Sequence, residues 1–231
     1  MMRGLKKLAD HLTTDFLGGP KPWKLAWVIN FQKGATLVFL GLLMWWYENT
    51  STAAWVYLAL HGSYGLVWLL KDAHFPDPGW QNKVTIGGGL VAFFGVLFWY
   101  WVIGWLLISQ PQTPIYPLPG PIWLALCISL CVLGCVIMIA ADAQKFYTLK
   151  YRKGLISEGI YRRVRHPNYL GEIMIYGSFG LLAWHWLAAV ILVAVWLLVF
   201  APNMVAKEQS LSRYPEWQDY KKRSGWLLPF L

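Results

Sequence analysis

The chain has 231 residues, of which 57% are apolar, 17% aromatic and 13% charged. The charged fraction is about half the usual ~25%, which excludes an ordinary soluble protein and predicts a single integral membrane domain over residues 1–231. The net charge of +9 does not indicate nucleic-acid binding, because lysine and arginine lie in blocks beside apolar stretches, a pattern typical of membrane orientation.

The N-terminal segment, residues 1–22, is predicted to be an amphipathic helix on the membrane surface. Leu5, Leu8, Leu12 and Phe16 recur there at helical spacing, with charged residues between them.

Six apolar stretches of 15 to 23 residues follow, and ~20 residues cross a bilayer core of ~30 Å. They cover residues 26–47, 53–70, 86–108, 122–141, 168–183 and 187–201. We therefore expect an all-α, polytopic membrane bundle of about six to seven transmembrane helices, with a cofactor site that faces the cytoplasm.

Basic residues alternate between successive connections. They precede the first span, flank the second connection, fill the fourth and recur in the tail, whereas the other connections have none. Cytoplasmic connections carry the excess of lysine and arginine. The pattern predicts both termini in the cytoplasm, at a bacterial inner membrane or the endoplasmic reticulum. In the tail, residues 202–231, we expect a cytoplasmic helix and then a segment that folds back on the membrane.

The most informative stretch runs from Tyr161 to Glu172, where a basic run ends at His166 and an apolar helix begins. Asn168 and Tyr169 lie in the first turn of that helix, and Glu172 shares a face with Asn168. A carboxylate at membrane depth indicates a functional site by default. The other interpretation of Glu172 is a structural ion pair with a loop arginine. The helix start also offers free N–H groups to an anion.

The polar residues before this helix have two interpretations each. Asp142 ends the fourth span, where it would bind a cofactor amine or hydroxyl, or pair with Lys145 or Arg165. Arginine suits forked contacts to phosphate. Arg152, Arg162 and Arg165 would hold an anionic ligand, or would serve membrane orientation alone.

The first half of the chain has fewer candidates. Gln32 interrupts the first span, where it would line a cavity, and Lys33 beside it would extend to the interface. Tyr64 on the second span would donate a proton or pack in the core. Three cysteines at four-residue spacing on the fourth span lack the partners of a metal site, so we expect no bound metal.

These residues resemble a known family. Asp142, then Gly159-Ile-Tyr161, then Arg165-His-Pro-Asn-Tyr-Leu-Gly-Glu172 resemble the C-terminal domain of steroid 5-alpha-reductases, in the superfamily of sterol reductases and isoprenylcysteine carboxyl methyltransferases. The ending, with Tyr220 and Leu228-Pro229-Phe230, is similar as well. The resemblance covers residues 130–231, the reductase-like half.

The resemblance implies an enzyme that binds NADPH in a helical bundle and transfers a hydride to an activated C=C bond in a steroid-like or other lipid. Asn168 and Glu172 would contact the nicotinamide, Asp142 the nucleotide, and the loop arginines its phosphates. Tyr64 would polarise a substrate carbonyl. The implied cofactor-binding residues are Asp142, Arg152, Arg162, Arg165, His166, Asn168, Tyr169 and Glu172, and the implied catalytic residues are Glu172, Tyr64 and Gln32.

One departure from the family leaves the substrate open. The steroid enzymes carry an acid directly after the glutamine of an early helix, whereas Lys33 follows Gln32 in this chain. The group that activates the substrate therefore differs.

Two alternatives remain. Isoprenylcysteine carboxyl and phospholipid methyltransferases, which use S-adenosylmethionine, share an Arg-His-Pro-x-Tyr-x-Gly element. They usually follow it with a Glu-Glu pair, where this chain has Lys207-Glu208-Gln209. The third alternative is a non-catalytic membrane scaffold. The reductase interpretation predicts a monomer whose partners are a hydrophobic substrate and membrane lipids.

Overall fold

The computed structural model describes residues 2–110 and 114–229. Its helices are α1 (Met2–Thr14), α2 (Leu25–Trp46), α3 (Thr52–His74), α4 (Ile86–Ala92), α5 (Phe98–Ile108), α6 (Gly120–Tyr151), α7 (Pro167–Ala183), α8 (Trp186–Val195), α9 (Ala201–Leu211) and α10 (Trp217–Arg223). A π-helical turn joins α4 to α5, and another joins α8 to α9. Two short antiparallel strands, β1 (Trp23–Lys24) and β2 (Lys83–Val84), pair beside α2. The part of the predicted tail at Phe230 and Leu231 lies outside the described residues.

Five helices are long and apolar enough to cross a membrane in the part of the chain that the structure describes. They are Leu25–Trp46, Thr52–His74, Ile86–Ile108, Gly120–Tyr151 and Trp186–Leu211. Their outer faces expose large apolar side chains such as Val38, Trp45 and Phe94. The protein is an all-α, multi-pass membrane protein, as predicted from its sequence.

The sixth predicted span is α7, which has 17 residues and lies at the short end of the ~17–25 that cross a bilayer. It begins at Pro167, a residue favoured in the first turn because its missing N–H needs no partner there. It ends where Trp184 takes the left-handed conformation, at a φ of 43°, which turns the chain directly into α8.

Helices α6 and α7 approach each other closely through two glycines. A Cβ atom added to Gly134 would lie 2.7 Å from the carbonyl oxygen of Gly171, and one added to Gly171 would lie 2.6 Å from the oxygen of Gly134. Small residues at such crossings let two membrane helices touch backbone to backbone. This contact holds α6, which carries Asp142, against α7, which carries Glu172.

The fourth predicted span ends later than expected. Helix α6 continues past residue 141 to Tyr151, so that Lys145 and Lys150 lie on a helix and not in a loop. No glycine or proline interrupts residues 142–151, and a helix need not end at the membrane surface. The chain turns at Gly154, whose φ is 144°.

The tail returns to the basic connection, which spans residues 152–166. The Arg165 N–H donates to the Gly225 carbonyl, and the Gly225 N–H donates to the Arg163 carbonyl, each at 2.9 Å. The His166 N–H donates to the Trp226 carbonyl at 3.2 Å. The tail therefore covers the start of α7, in line with the predicted fold-back.

Candidate functional site

Two adjoining cavities form what we call the basic cleft, at the end of the bundle where the basic connection lies. The larger, of about 630 Å³, lies between the end of α3 and α6. The smaller, of about 180 Å³, lies between α6, the connection and α9, and the two share Lys145 and Leu149. The cations that line the cleft are Lys71, Lys145, Lys150, Arg165 and Lys207. Only two carboxylates, Asp77 and Asp142, line it within the described residues, so the cleft attracts anions.

Ion pairs fix two lysines of the larger cavity. Lys71 Nζ lies 2.7 Å from Asp142 Oδ2, and both side chains are buried. The sequence suggested Lys145 or Arg165 as the ion-pair partner of Asp142, but the structure places Lys71 there. Lys145 Nζ lies 2.7 Å from Asp77 Oδ2. Burial alone would raise the pKa of Asp77, but the Lys145 ammonium and a backbone N–H outweigh it and hold that pKa below its usual value.

Arg165 connects three elements of the smaller cavity. Its Nε donates to Glu208 Oε1 on α9 at 2.5 Å, and its Nη1 donates to the Ser224 carbonyl in the tail. His166 Nε2 lies 3.3 Å from the same Glu208 oxygen, without the alignment of a hydrogen bond. Burial lowers the pKa of His166, although Glu208 opposes the shift, so the ring is neutral near pH 7. Arg165 therefore orders the wall of the cleft.

Lys207 on α9 has no carboxylate partner among the ion pairs of the described residues. Its Nζ lies 4.7 Å from the centre of the Tyr169 ring. A cation over an aromatic face keeps its charge and its donor hydrogens. Lys207 can therefore bind an anion that enters the smaller cavity.

Glu172 lies one turn beyond Asn168, which lines the cleft. Its side chain is half-buried, and it has no hydrogen bond or ion pair within the described residues. The charges that act on it are those of Lys71, Asp142, Lys33 and Lys207. The alternative interpretation, a structural ion pair with a loop arginine, is not seen. Glu172 thus lies between the basic cleft and a second group of polar residues inside the bundle.

We call this second group the Lys33 cluster. It consists of Lys33, Tyr64, Trp68, Tyr100 and Tyr176. Lys33 is 2% exposed, and its Nζ lies between 4.6 Å and 5.4 Å from the centres of the four rings. It donates to the Tyr176 hydroxyl at 2.5 Å, and that hydroxyl lies 3.2 Å from the Tyr64 hydroxyl. Each ring stabilises a nearby cation by about 0.5–2 kcal/mol. The rings therefore surround Lys33 Nζ where no carboxylate of the described residues pairs with it.

The structure brings most of the predicted cofactor residues together. Asp142, Arg165, His166 and Asn168 line the basic cleft. Tyr169 is buried beside it, with its ring under Lys207.

Three other predicted residues lie elsewhere. Arg152 pairs with Glu158 at 2.6 Å, and both side chains are exposed. Arg162 is exposed and is not among the residues that line either cavity. Gln32 is buried, and its amide donates to Thr36 at 3.5 Å, which is long for a hydrogen bond. Thr36 also accepts from Trp101 of α5, so Gln32 lies on that side of α2, whereas Lys33 contacts the tyrosines.

Sequence reasoning missed Tyr176, Lys71 and Lys207. The signal for Tyr176 is its spacing, because Asn168, Glu172 and Tyr176 recur every four residues and therefore share one face of α7. The signal for Lys71 is weaker, since it looks like an ordinary lysine at the end of a membrane span. Its partner Asp142 is distant in the chain, so only the fold reveals the pair.

Other parts of the molecule carry less chemistry. An apolar groove of about 420 Å³, lined by residues such as Trp27, Phe31 and Phe93, lies between α2 and α4. Its lining has no ionisable side chain among the described residues. Within the same part of the chain, no group of three or more His, Cys, Asp or Glu could hold a metal ion.

A family model matches residues 10–224, a range that includes both the basic cleft and the Lys33 cluster. Its description reads "Protein of unknown function (DUF1295)". No curated protein and no solved structure matches the chain. Because the matched range is nearly the whole chain, the protein belongs to the DUF1295 family.

Proposed function

We propose that the protein is a membrane-embedded, NADPH-dependent reductase of an activated C=C bond in a steroid-like or other lipid substrate, an oxidoreductase of the 3-oxo-steroid 5-alpha-reductase type. The observation that carries this proposal is the position of Glu172. This carboxylate, which has no ion-pair partner in the described part of the chain, lies between a cleft lined by five cations and a buried cluster that can donate protons.

The residues of the cleft fit a nucleotide with several phosphates. Lys207 and Lys150 have no carboxylate partner in the described part of the chain, and both line the cleft. The start of α7 adds backbone N–H groups that favour an anion. Leu149, Leu155 and Ile156 offer apolar surface to a flat ring. We assign the phosphates to the cations and the nicotinamide end to Asn168 and Glu172.

The cofactor would supply the hydride, and side chains of the protein would orient the cofactor and polarise the substrate. Bound NADPH supplies a hydride. Glu172 accepts a hydrogen bond from an amide and so orients the ring that carries it, and Asn168 supports the same end from one turn away. Tyr64 donates to the carbonyl oxygen of the substrate and polarises the conjugated double bond. The exposed Arg162 attracts the anionic cofactor from a distance, whereas Glu158 neutralises Arg152.

We place both termini in the cytoplasm, in a bacterial inner membrane or the endoplasmic reticulum, and we propose that the protein acts as a monomer. The basic residues support this orientation, because they cluster in the connections on the side of the basic cleft. This side also gives a soluble nucleotide access to the cleft.

Thermal unfolding of the purified protein with different nucleotides tests the proposal. NADPH at a hundredfold excess over its dissociation constant should stabilise the folded state by about 2.7 kcal/mol and raise the melting temperature. S-adenosylmethionine, which carries no phosphate, should leave it unchanged. Stabilisation by S-adenosylmethionine alone would favour a membrane methyltransferase, and stabilisation by neither compound would favour a scaffold.

A further inference from the structure

The hydrogen bonds of the Lys33 cluster have a direction. An ammonium group has only donors, so the Tyr176 oxygen accepts from Lys33 at 2.5 Å. A phenol whose oxygen accepts from a cation becomes a stronger donor, which favours donation from Tyr176 to Tyr64 across 3.2 Å. The Tyr64 hydroxyl then has a hydrogen with no acceptor among the described residues. The chain of donors runs from Lys33 through Tyr176 to Tyr64.

We infer that this series of hydrogen-bond donors ends on the substrate. Tyr64 is the catalytic residue that donates its proton to the carbonyl oxygen of a lipid enone. Tyr176 and Lys33 are positioning residues, which replace that proton on Tyr64 through their hydrogen bonds. The inference rests on the proposed reductase function, since it assigns residues to that reaction. It also gives the lysine at this position a role.

Protons are balanced over one turnover of the proposed reaction. As a hydride adds to the β-carbon of the enone, the electron pair of the C=C bond moves toward the carbonyl oxygen. Tyr64 protonates that oxygen, Tyr176 reprotonates Tyr64, and Lys33 reprotonates Tyr176 and becomes a neutral amine. A proton from solvent then adds to the α-carbon, and the proton on oxygen returns along the same chain to Lys33. The saturated ketone has gained one hydride and one solvent proton.

A cation suits this position because negative charge develops on the substrate oxygen. A carboxylate there would repel that charge, whereas the ammonium of Lys33 stabilises it through the two phenols. The four aromatic rings around Lys33 hold its charge without neutralising it. The ring of Tyr176 also stacks on Tyr100, with centroids 3.9 Å apart, which fixes the middle member of the chain.

Infrared spectroscopy of a bound carbonyl tests the inference without NADPH. The probe is 4-cholesten-3-one labelled with ¹³C at the carbonyl, added to the purified protein in lipid nanodiscs. We expect the carbonyl band to move to lower wavenumber than in empty nanodiscs. Tyr64→Phe should abolish the shift, and Lys33→Met and Tyr176→Phe should reduce it. Tyr57→Phe, two turns earlier on α3 and bonded to His61 at 3.2 Å, is the matched control and should keep the full shift.

The outcomes separate this inference from the proposed function. An unshifted band in the wild type, or a full shift in Tyr64→Phe, would overturn the inference. NADPH should raise the melting temperature of Tyr64→Phe as much as that of the wild type, which also shows that the variant is folded. If NADPH fails to stabilise the wild type, the reductase proposal itself fails, and the assignment of the proton chain fails with it.

Discussion

Ion pairs hold three of the five cations of the basic cleft, whereas aromatic rings surround the single cation of the Lys33 cluster. In the cleft, Lys71, Lys145 and Arg165 each pair with a carboxylate at 2.5–2.7 Å. In the cluster, Lys33 is surrounded by aromatic rings and pairs with no carboxylate of the described residues. An ion pair fixes the position of a cation, whereas a cation with no carboxylate beside it keeps its net positive charge for a ligand. Under the proposed function, the cleft would bind the anionic cofactor and the cluster would stabilise the negative charge that forms on the substrate.

The largest expected effect comes from Glu172→Gln, which changes the residue between the two regions. Glutamine keeps the size but loses the charge that orients the cofactor, so NADPH-dependent reduction of 4-cholesten-3-one should fall about a hundredfold. The melting temperature should stay close to that of the wild type. The matched control is Glu48→Gln, an exposed position in the turn after α2, which should react at the wild-type rate. Wild-type turnover in Glu172→Gln would remove this carboxylate from the mechanism.

The buried ion pair of the cleft is the next most sensitive feature. Asp142→Asn leaves the Lys71 ammonium buried without its partner, which should destabilise the fold by about 3–5 kcal/mol. Thermal unfolding measures the change. Asp219→Asn breaks the exposed contact with Lys222, where the atoms are 3.7 Å apart, and should cost at most about 1 kcal/mol. Equal effects of the two substitutions would contradict the assignment of a buried pair.

The contact between Gly134 and Gly171, which holds α6 against α7, should be sensitive to one added methyl group. Gly171→Ala places a Cβ against the Gly134 carbonyl, so α6 and α7 must separate, at a cost of about 1–3 kcal/mol. Gly41→Ala, on α2, meets no atom within 4 Å and should be neutral or slightly stabilising. The difference between the two melting temperatures measures the contact, and a stable Gly171→Ala protein would argue against it.

The smallest effect concerns the pH dependence of stability. Burial holds the pKa of His166 below the ordinary value near 6.5, so the unfolded chain binds more protons as the pH falls. The contribution of the neutral His166 ring to the free energy of unfolding is therefore fully present above about pH 6.5. It is lost as the pH falls through the lower pKa of the folded state. His166→Gln should weaken the dependence of the melting temperature on pH in that window. His74→Gln, at the exposed end of α3, should keep it. An identical pH profile for His166→Gln would contradict this account.

The sequence predicts the membrane helices well, because an apolar run of about 20 residues seldom occurs outside a membrane span. The third span, 86–108, agrees at both ends with the observed helix. The predicted end of α6 is wrong, since hydropathy reports where a helix leaves the membrane and not where it stops.

The candidate site is less predictable. Arg165, His166 and Asn168 come from one local motif and Asp142 from the end of the preceding span, and the structure brings the four together in the cleft. Lys33 and Tyr176 are 143 positions apart, and no local pattern reveals their contact. In the sequence, lysine at position 33 is only a departure from a family pattern, and its four aromatic neighbours become visible only when α2, α3, α5 and α7 are packed together.

Isotope transfer into membrane lipids tests the reductase proposal most directly, because it needs no knowledge of the substrate. The purified protein is incubated with a membrane lipid extract and NADPH that carries deuterium at the reactive C4 position. Mass spectrometry should find a lipid product that has gained one deuterium and one hydrogen, and Glu172→Gln should form far less of it. The proposal is contradicted if no lipid gains deuterium while S-adenosylmethionine with a CD₃ group labels one.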